Sequence, residues 1–229
     1  MEKLVYIVWK QNGDTDEAFK RRLHDNVVPK LREVPAERIR VSVTDDDVAA
    51  GTPIGTMDPP KSGMVSFWME QSQDCANAEA VLAPACGRIE GYLVVESRPI
   101  ITPLLDTKPG ERTPGSSQVT CVTKRDDISK EEYLRIWYGE HRACASETQS
   151  TFGYVRNEIV RGLTPNAPGW TAIVEENFPI EALTDPEVFY DAVGDPAKLA
   201  ANQKRMMDTC QKFLDLSKIE AHHCSEYDF

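Results

Sequence analysis

The chain alternates between short apolar runs and longer segments in which apolar residues recur every three or four positions. Runs such as 4–9 are typical of strands, and the wider spacing is typical of amphipathic helices. Thr15 and Ser129 stand where helix N-caps belong, because acidic residues that suit a first helical turn follow each of them. In the first half, the pattern predicts strands at 3–10, 38–44, 63–70 and 88–96, with helices at 15–32 and 74–83. In the second half, it predicts strands at 118–124, 153–161, 169–176 and 218–226, with helices at 129–147, 185–193 and 196–213.

The two halves repeat one order of elements. Each reads strand, helix, strand, strand, helix, strand, which is the ferredoxin-like βαββαβ pattern. Val5 aligns with Val119, and the block 63–70 aligns with the block 169–176. The identity between the halves is low, so the shared order of elements carries most of this comparison.

The predicted fold class is α+β. A four-stranded sheet with helices on one face leaves its other face bare, and two such sheets can bury these faces against each other. We therefore expect two fused ferredoxin-like repeats that form an intramolecular dimeric α/β-barrel. Residues 1–97 form a degenerate first repeat in this interpretation, 98–117 a Pro- and Gly-rich linker, and 118–229 the second repeat, which carries the site.

Charge and composition exclude several classes of partner. The chain has 229 residues with 26 Lys and Arg against 37 Asp and Glu, so its net charge is −11. Such a charge disfavours nucleic acid and anionic membranes, and no apolar run approaches the roughly 20 residues of a membrane helix. The six cysteines include no Cys-x-x-Cys pair, so zinc-finger and thioredoxin-like sites lack their signature. With no recognisable signal peptide, we expect a cytoplasmic protein.

An aromatic stripe on the predicted helix 129–147 carries the candidate chemistry. Tyr133, Trp137 and His141 are four positions apart and share one face, with Tyr138 beside them. This face must pack on the sheet, so His141 projects toward an aromatic, partly desolvated space. Burial lowers the pKa of an imidazole, which can then exchange a proton near neutral pH. The same spacing is also typical of a hydrogen-bonded core histidine, and the residues alone leave both interpretations open.

The first half offers a comparison within the chain. Phe19, Leu23 and Val27 align with the aromatic stripe, and all three are apolar. A purely structural position accepts either set of residues, so the polar set indicates one functional pocket in the second half. His24 aligns with Tyr138 and is interpreted as a surface or flanking residue.

Further candidates lie on the predicted strands of the second half. His222 and His223 stand where the first half has Tyr and Leu, and alternation along a strand turns them to opposite faces of the sheet. One of them can join His141 in the pocket, although both can equally be solvated near the C-terminus. Tyr154 and Asn157 are possible hydrogen-bond donors to a carbonyl or enolate oxygen.

The long loop 45–62 contains two Gly and three Pro. It is either a lid over a pocket or an ordinary connection. Its first residues, Asp45, Asp46 and Asp47, resemble hard-metal ligands, but their place between a strand end and a Gly-Thr-Pro turn favours a solvated loop.

The segments 133–141 and 153–157 resemble the EthD-type family of dimeric α/β-barrel proteins, and 194–215 resembles it as well. The resemblance covers roughly 112–229, whereas only the element order supports it over 1–97. It implies the barrel fold. It also implies cofactor-independent proton transfer by His and Tyr, as in related polyketide cyclases, such as olivetolic acid cyclase, and lactone isomerases.

We therefore expect an enzyme, a lyase, cyclase or isomerase that acts on an aromatic or polyketide-like carbonyl compound without metal or organic cofactor. His141 is the expected general base. The expected partner is a small molecule, and the chain is a monomeric pseudo-dimer or a homodimer. The catalytic set is His141, Tyr138, His223 and His222, and the substrate-binding set is Tyr133, Trp137, Tyr154 and Asn157.

Two alternatives remain open at this stage. One is a haem- or oxygen-dependent monooxygenase of the same superfamily, with His141, His222 or His223 as an axial ligand. The other is a non-catalytic protein that binds a small molecule, since fold alone does not give function.

Overall fold

Eight antiparallel strands close into one barrel in the computed structural model, which describes residues 1–102 and 107–229. Around the barrel the strand order is β1-β3-β2-β8-β5-β7-β6-β4, and β4 pairs with β1 to close the ring. The strands are β1 (Glu2–Trp9), β2 (Glu37–Val43), β3 (Gly63–Met69), β4 (Arg88–Ile100), β5 (Ser116–Val122), β6 (Gly153–Gly162), β7 (Ala172–Phe178) and β8 (Glu220–Asp228).

The helices cover the outside of the barrel. Thr15 and Ser129 cap two of them, because the Thr15 hydroxyl accepts from the N–H of Ala18 and the Ser129 hydroxyl accepts from the N–H of Glu132. Both predicted N-caps are confirmed. The helices are α1 (Asp16–Arg22, Leu23–Val27 and Val28–Glu33), α2 (Cys75–Leu82), α3 (Lys130–Arg135, Ile136–His141 and Arg142–Thr148), α4 (Pro186–Phe189) and α5 (Pro196–Phe213). None of the helices in the described ranges is long and apolar enough to cross a membrane.

The α+β barrel is confirmed, and its two halves have the same internal order of strands. The first half runs β4-β1-β3-β2 and the second runs β8-β5-β7-β6. The pairs β2–β8 and β4–β6 join the halves. Closure buries one face of each sheet in a shared interior whose apolar residues come from both halves, including Val5, Ile7, Tyr92, Val119 and Ile173.

The outer face of the first sheet packs on α1 through a continuous apolar core. Phe19, Leu23 and Val27 are all buried in it, together with Leu4 and Phe67. The first half therefore fills the space between helix and sheet with hydrocarbon. In the second half, the space between α3 and its sheet contains Tyr133, Trp137 and Tyr154 instead.

A π turn interrupts both long outer helices at the same place. It spans Leu23–Val27 in α1 and Ile136–His141 in α3. A π turn places one extra residue in a helical turn and is frequent at functional sites. In α3 it contains both Trp137 and His141, so the widened turn presents these two side chains to the sheet.

The strand ladders correct the predicted alignment of the halves. The blocks 63–70 and 169–176 are out of register, because that alignment places Glu70 on Glu176. In the structure, Leu4 of β1 pairs with Phe67 of β3, and the equivalent Gln118 of β5 pairs with Glu176 of β7. Phe67 is therefore the residue that corresponds to Glu176. Apolar residues occur at both registers, so the sequence pattern did not distinguish them.

Two loop predictions also change. Asp45 is only 2% exposed, so the prediction of a solvated residue is wrong. Its carboxylate accepts from the hydroxyls of Ser225 (2.7 Å) and Tyr227 (2.9 Å), so it ties the end of β2 to β8. The predicted linker 98–117 is strand at both ends, since β4 runs to Ile100 and β5 begins at Ser116, and its residues 103–106 lie outside the described ranges.

Candidate active site

A row of four polar residues crosses the outer face of the second sheet. The ladders pair His223 with Gln118, Gln118 with Glu176, and Glu176 with Tyr154. Paired residues of neighbouring strands point to the same face with their Cβ atoms about 4.5–5.5 Å apart. The four side chains therefore form a continuous line beneath α3 and α5.

The corresponding row of the first sheet is apolar. It consists of Leu93, Leu4 and Phe67, which pair across β4, β1 and β3. All three are buried. The same backbone positions thus carry hydrocarbon in one half and hydrogen-bonding groups in the other.

The polar row is the floor of a pocket of about 590 Å³ between the second sheet and its helices. This volume lies within the range of about 300–1,000 Å³ that is common for small-molecule sites. The walls are mainly apolar and aromatic and include Trp137, Phe189, Tyr190, Met206 and Phe213.

Residues 51–57 of the first half, here called the strap, cross the mouth of this pocket. Ile54 lines the pocket and exchanges two backbone hydrogen bonds with Ala221 (2.8 and 2.7 Å). The N–H of Thr56 donates to the carboxylate of Glu220 (2.8 Å), which anchors the far end of the strap. The loop 45–62 therefore covers the pocket, and whether it moves as a lid stays a prediction.

Glu176 is an ionisable residue of this pocket that the sequence pattern did not indicate. Its half-buried carboxyl lines the pocket and has no hydrogen-bond partner among the described residues. Burial raises the pKa of Glu176 to about 7, because no positive charge offsets the cost of desolvating the carboxylate. A group with this pKa can both accept and donate a proton at neutral pH.

His223 faces the pocket, and hydrogen bonds hold its ring on both sides. Its Nδ1 lies 3.3 Å from the hydroxyl of Ser116, and its Nε2 lies 3.2 Å from the side-chain amide nitrogen of Gln118. An amide N–H donates to Nε2, so Nδ1 carries the ring proton. Burial lowers the pKa of His223 to about 4, and the ring is neutral at pH 7.

His141 also lines the pocket, as predicted, but it is a weak base there. The hydroxyl of Thr209 donates to the carbonyl of Met206 (2.9 Å), so its oxygen accepts from Nδ1–H of His141 (3.1 Å). The ring packs against Phe213 with centroids 4.8 Å apart. Burial, together with the positive charge of Arg156, lowers the pKa of His141 to about 4.

Tyr154 and Trp137 act as a pair in the pocket wall. The indole N–H of Trp137 donates to the hydroxyl oxygen of Tyr154 (2.8 Å). The hydroxyl proton of Tyr154 is therefore left to donate elsewhere, next to Glu176. Tyr133 is fully buried behind this wall, where its ring contacts Trp137 and Phe213.

Besides Tyr133, the structure places three more predicted site residues outside the pocket. Tyr138 is 37% exposed, and its hydroxyl donates to Glu158 (3.0 Å) on the surface. Asn157 points into the barrel interior, where its amide nitrogen donates to Glu175 (2.8 Å). His222 points into the interior as well, where burial and the charge of Lys61 lower its pKa to about 3.

The pocket residues do not fit a haem group. His223 has hydrogen bonds at both ring nitrogens, which leaves Nε2 of His141 as the available histidine nitrogen on the described wall. No Arg or Lys lines the described pocket to meet the two carboxylates of a haem. Within the described ranges, no group of three or more His, Cys, Asp and Glu side chains converges as a metal site.

Comparisons with known proteins show structures with a similar fold but assign the chain to no family. No family model matches the chain, and no curated protein matches it in sequence. Among solved structures, an anthrone oxidase-like protein has a TM-score of 0.57 at 10% identity, over 99% of this chain and 93% of that chain. A proposed monooxygenase from Lactobacillus acidophilus gives a TM-score of 0.51 at 10% identity, over 98% of this chain and 93% of that one. A dye-decolorizing peroxidase from Bacteroides thetaiotaomicron gives 0.50 at 10% identity, over 99% and 93%.

These likenesses show the fold alone. None of the three is described as an EthD-type protein. The chain shares the overall barrel fold of these three structures.

Proposed function

We propose that this chain is an enzyme that binds a small, uncharged, mostly apolar carbonyl compound and moves a proton on it through Glu176. One observation carries the proposal. The outer face of the second sheet holds an unpartnered carboxyl with a pKa of about 7 in an aromatic pocket, whereas the first sheet has Phe67 there.

The proposed reaction begins with removal of a proton from the carbon next to the carbonyl group. The carboxylate of Glu176 accepts this proton, and the electron pair of the C–H bond moves onto the carbonyl oxygen. Tyr154 donates a hydrogen bond to that oxygen as negative charge develops. Its hydroxyl is suited to this role because Trp137 already occupies one of its lone pairs. Return of the proton to another atom of the enolate completes an isomerisation. In a cyclisation, the enolate carbon attacks a second carbonyl carbon of the same substrate, the C=O π bond breaks, and Glu176 returns the proton to the resulting alkoxide.

His141 and His223 have a different role in this proposal from the one that the sequence predicts. Both rings are neutral at pH 7 because their pKa values are about 4. They hold and orient the substrate through hydrogen bonds. The general base is Glu176, whose pKa matches neutral pH.

Charge and shape define the class of substrate. The described pocket has aromatic walls and no cationic side chain, so an anionic substrate gains no partner there and is repelled by ionised Glu176. A flat ketone with an acidic CH₂ group fits these conditions. Anthrone is a suitable related probe. Its acidic CH₂ group at C10 is not adjacent to the carbonyl but is conjugated with it through the fused rings, so loss of a C10 proton likewise places negative charge on the carbonyl oxygen.

The test is hydrogen–deuterium exchange at carbon, followed by proton NMR in D₂O, with anthrone, 1-tetralone and 2-acetylnaphthalene as probes. The wild type is expected to accelerate exchange of at least one of these ketones. Glu176→Gln is expected to lose roughly 10²–10⁴-fold of this acceleration, the usual contribution of a general base. The rate is expected to rise with pH up to about 7, because Glu176 must be ionised to accept a proton.

Glu158→Gln is the matched control, because it removes a carboxyl from the surface partner of Tyr138 and leaves the pocket intact. The proposal is contradicted if the Glu176→Gln variant catalyses exchange as fast as the wild type does. Ketone binding without any exchange would favour the non-catalytic alternative. The haem-dependent monooxygenase is not proposed, because the pocket lacks the residues to hold the group.

We also propose that residues 1–97 and 118–229 are ferredoxin-like repeats and that the second belongs with EthD-type proteins. The equal strand order of the halves supports the first statement. The position of segment 133–141 over the pocket supports the second. The proposed partner is the small molecule, bound by a monomeric pseudo-dimer or a homodimer in the cytoplasm.

A further inference from the structure

Arg156 is a buried cation that has no carboxylate partner in the described part of the chain. It is 8% exposed and projects from β6 on the same face as Tyr154. Its Nε donates to the hydroxyl of Ser97 (3.0 Å), and its Nη1 is buried without a described hydrogen-bond partner. Leaving a buried charge unpaired is costly, so its retention needs a reason other than stability.

Aromatic rings hold the guanidinium behind the pocket wall. Its carbon lies 4.0 Å from the ring centroid of Tyr138, 5.5 Å from that of Trp137 and 5.9 Å from that of Tyr154. Stacking on aromatic faces offsets part of the desolvation cost and keeps the side chain extended. In the first half, Val41 occupies the position that corresponds to Arg156. Val41 pairs with Val65 of β3, and Arg156 pairs with Val174 of β7 in the same way.

Other charges around Arg156 have partners of their own. Glu158, on the same strand, accepts from Tyr138 and forms an ion pair with Lys130. Arg142 on α3 is exposed and of the same sign. Glu140 on α3 forms an ion pair with Lys212 of α5. Both carboxylates are therefore already engaged with other cations.

We infer that Arg156 is a positioning residue that supplies the positive charge toward which negative charge moves when a substrate held at Tyr154 loses a proton to Glu176. The inference rests on the proposed function. It follows from the order of groups on the sheet. Tyr154 on β6 has Glu176 of β7 on one side, and the guanidinium of Arg156 lies toward the other side, where it bonds Ser97 of β4.

The electrostatic argument has two parts. Before the reaction, the negative charge is on Glu176, whose pKa reflects desolvation and no nearby cation. After proton transfer, Glu176 is neutral and the charge is on a substrate oxygen at Tyr154, which is nearer to Arg156. After the larger effect of burial, the charge of Arg156 helps to lower the pKa of His141, and it opposes the burial that raises the pKa of Tyr154. Its fixed position therefore favours an oxyanion in the pocket and disfavours an imidazolium there.

The first readout is the pKa of His141 itself, measured by NMR titration of the imidazole without any ligand. Arg156→Met removes the charge and keeps an unbranched apolar side chain, and we expect the pKa of His141 to rise by roughly 0.5–1 unit. Arg156→Lys keeps the charge and is expected to leave this pKa low. Arg142→Met is the matched control, since it removes an exposed charge that solvent screens.

The second readout is the ionisation of bound 2-naphthol, whose phenolate imitates the proposed oxyanion and absorbs at a longer wavelength. It is measured in Glu176→Gln, so that only the ligand ionises. Adding Arg156→Met is expected to raise the pKa of the bound naphthol by roughly one unit, and adding Arg156→Lys is expected to leave it unchanged.

Two results would overturn the inference. One is a His141 pKa and a naphthol pKa that do not respond to Arg156→Met. The other, which remains available if that variant does not fold, is a folded Arg156→Lys protein in which both values rise despite the retained charge. Failure here is distinguishable from failure of the proposed function. Ketone exchange that survives Glu176→Gln overturns the proposed function, whereas exchange that Glu176→Gln abolishes, with unresponsive pKa values, overturns only the role of Arg156.

Discussion

Replacing Glu176 by Gln is expected to stabilise the protein in a pH-dependent way. Glutamine has nearly the shape of glutamic acid but does not ionise, so the variant keeps the pocket and removes the cost of a buried, unpartnered charge. An unpaired carboxylate is tolerated at a functional site even though it lowers the stability of the fold. The gain on substitution therefore measures how far the pocket is built for chemistry.

The magnitude follows from the pKa of Glu176, which is about 7 in the folded protein against an ordinary value of 4.5. One pKa unit corresponds to about 1.4 kcal/mol. Below pH 4.5 the carboxyl is protonated in both the folded and the unfolded chain, and it costs nothing. As the pH rises from 4.5 to 7, only the unfolded chain releases the proton, so the free energy of unfolding falls. Above pH 7 the loss is constant at about 3 kcal/mol.

The assay is urea unfolding of the wild type and Glu176→Gln at pH 5 and pH 8. The expected gain in unfolding free energy is about 3 kcal/mol at pH 8 and about 1 kcal/mol at pH 5. The histidines titrate in both proteins, so the difference isolates Glu176. Glu181→Gln is the matched control at an exposed site and is expected to show the same small effect at both pH values. Equal gains for Glu176→Gln at pH 5 and pH 8 would refute the assignment of a perturbed carboxyl.

Three further substitutions test other parts of the structure. His141→Ala removes the hydrogen bond to Thr209 and is expected to cost about 1–3 kcal/mol at pH 8. This cost should shrink below pH 6.5, because the unfolded wild type then gains a proton on His141 that the folded protein, with a His141 pKa of about 4, does not bind. Thermal melting across this pH range measures the change. Lys3→Met leaves Glu175 with one cation fewer inside the barrel and is expected to cost about 3–5 kcal/mol in urea unfolding. Gly51→Val is expected to weaken 2-naphthol binding about tenfold in fluorescence titration, with an unchanged circular dichroism spectrum. A Cβ added at Gly51 would lie only 3.1 Å from side chains at the pocket mouth, so the larger Val side chain narrows the mouth. Unchanged affinity would show that the strap does not limit the pocket.

The helical stripe could be predicted because its signal is local. Tyr133, Trp137 and His141 are separated by single helical turns, and their spacing alone places them on the buried face. The structure confirms this placement, with His141 on the pocket wall. The exposure of Tyr138 was harder to predict, because a π turn changes which neighbouring residues face the sheet.

Glu176 was visible in the sequence but its role was not. It belongs to a pair of acidic residues that directly follow three apolar residues of the strand, and this was the signal available. Alternation shows that Glu175 and Glu176 face opposite sides, but only the ladder shows which side is the barrel interior. In the interior, the charges of Lys3 and Arg40 lower the pKa of Glu175 to about 2, whereas burial without a partner raises that of Glu176.

The same reasoning separates His222 from His223. The sequence establishes that they face opposite sides, and pairing of β8 with β5 assigns His223 to the pocket. Register is a property of two strands that are far apart in the chain, so no local pattern contains it.

By itself, the sequence determined most of the elements, their order and the buried stripe of α3, since periodicity, N-caps and turn residues act over a few positions. Tertiary structure alone decided the closure of the barrel through β2–β8 and β4–β6, the register of β7, and the environment of each ionisable group. The physical reason is range. Secondary structure follows from neighbours along the chain, whereas the pKa of Glu176 depends on which charges and apolar groups folding brings around it from distant segments.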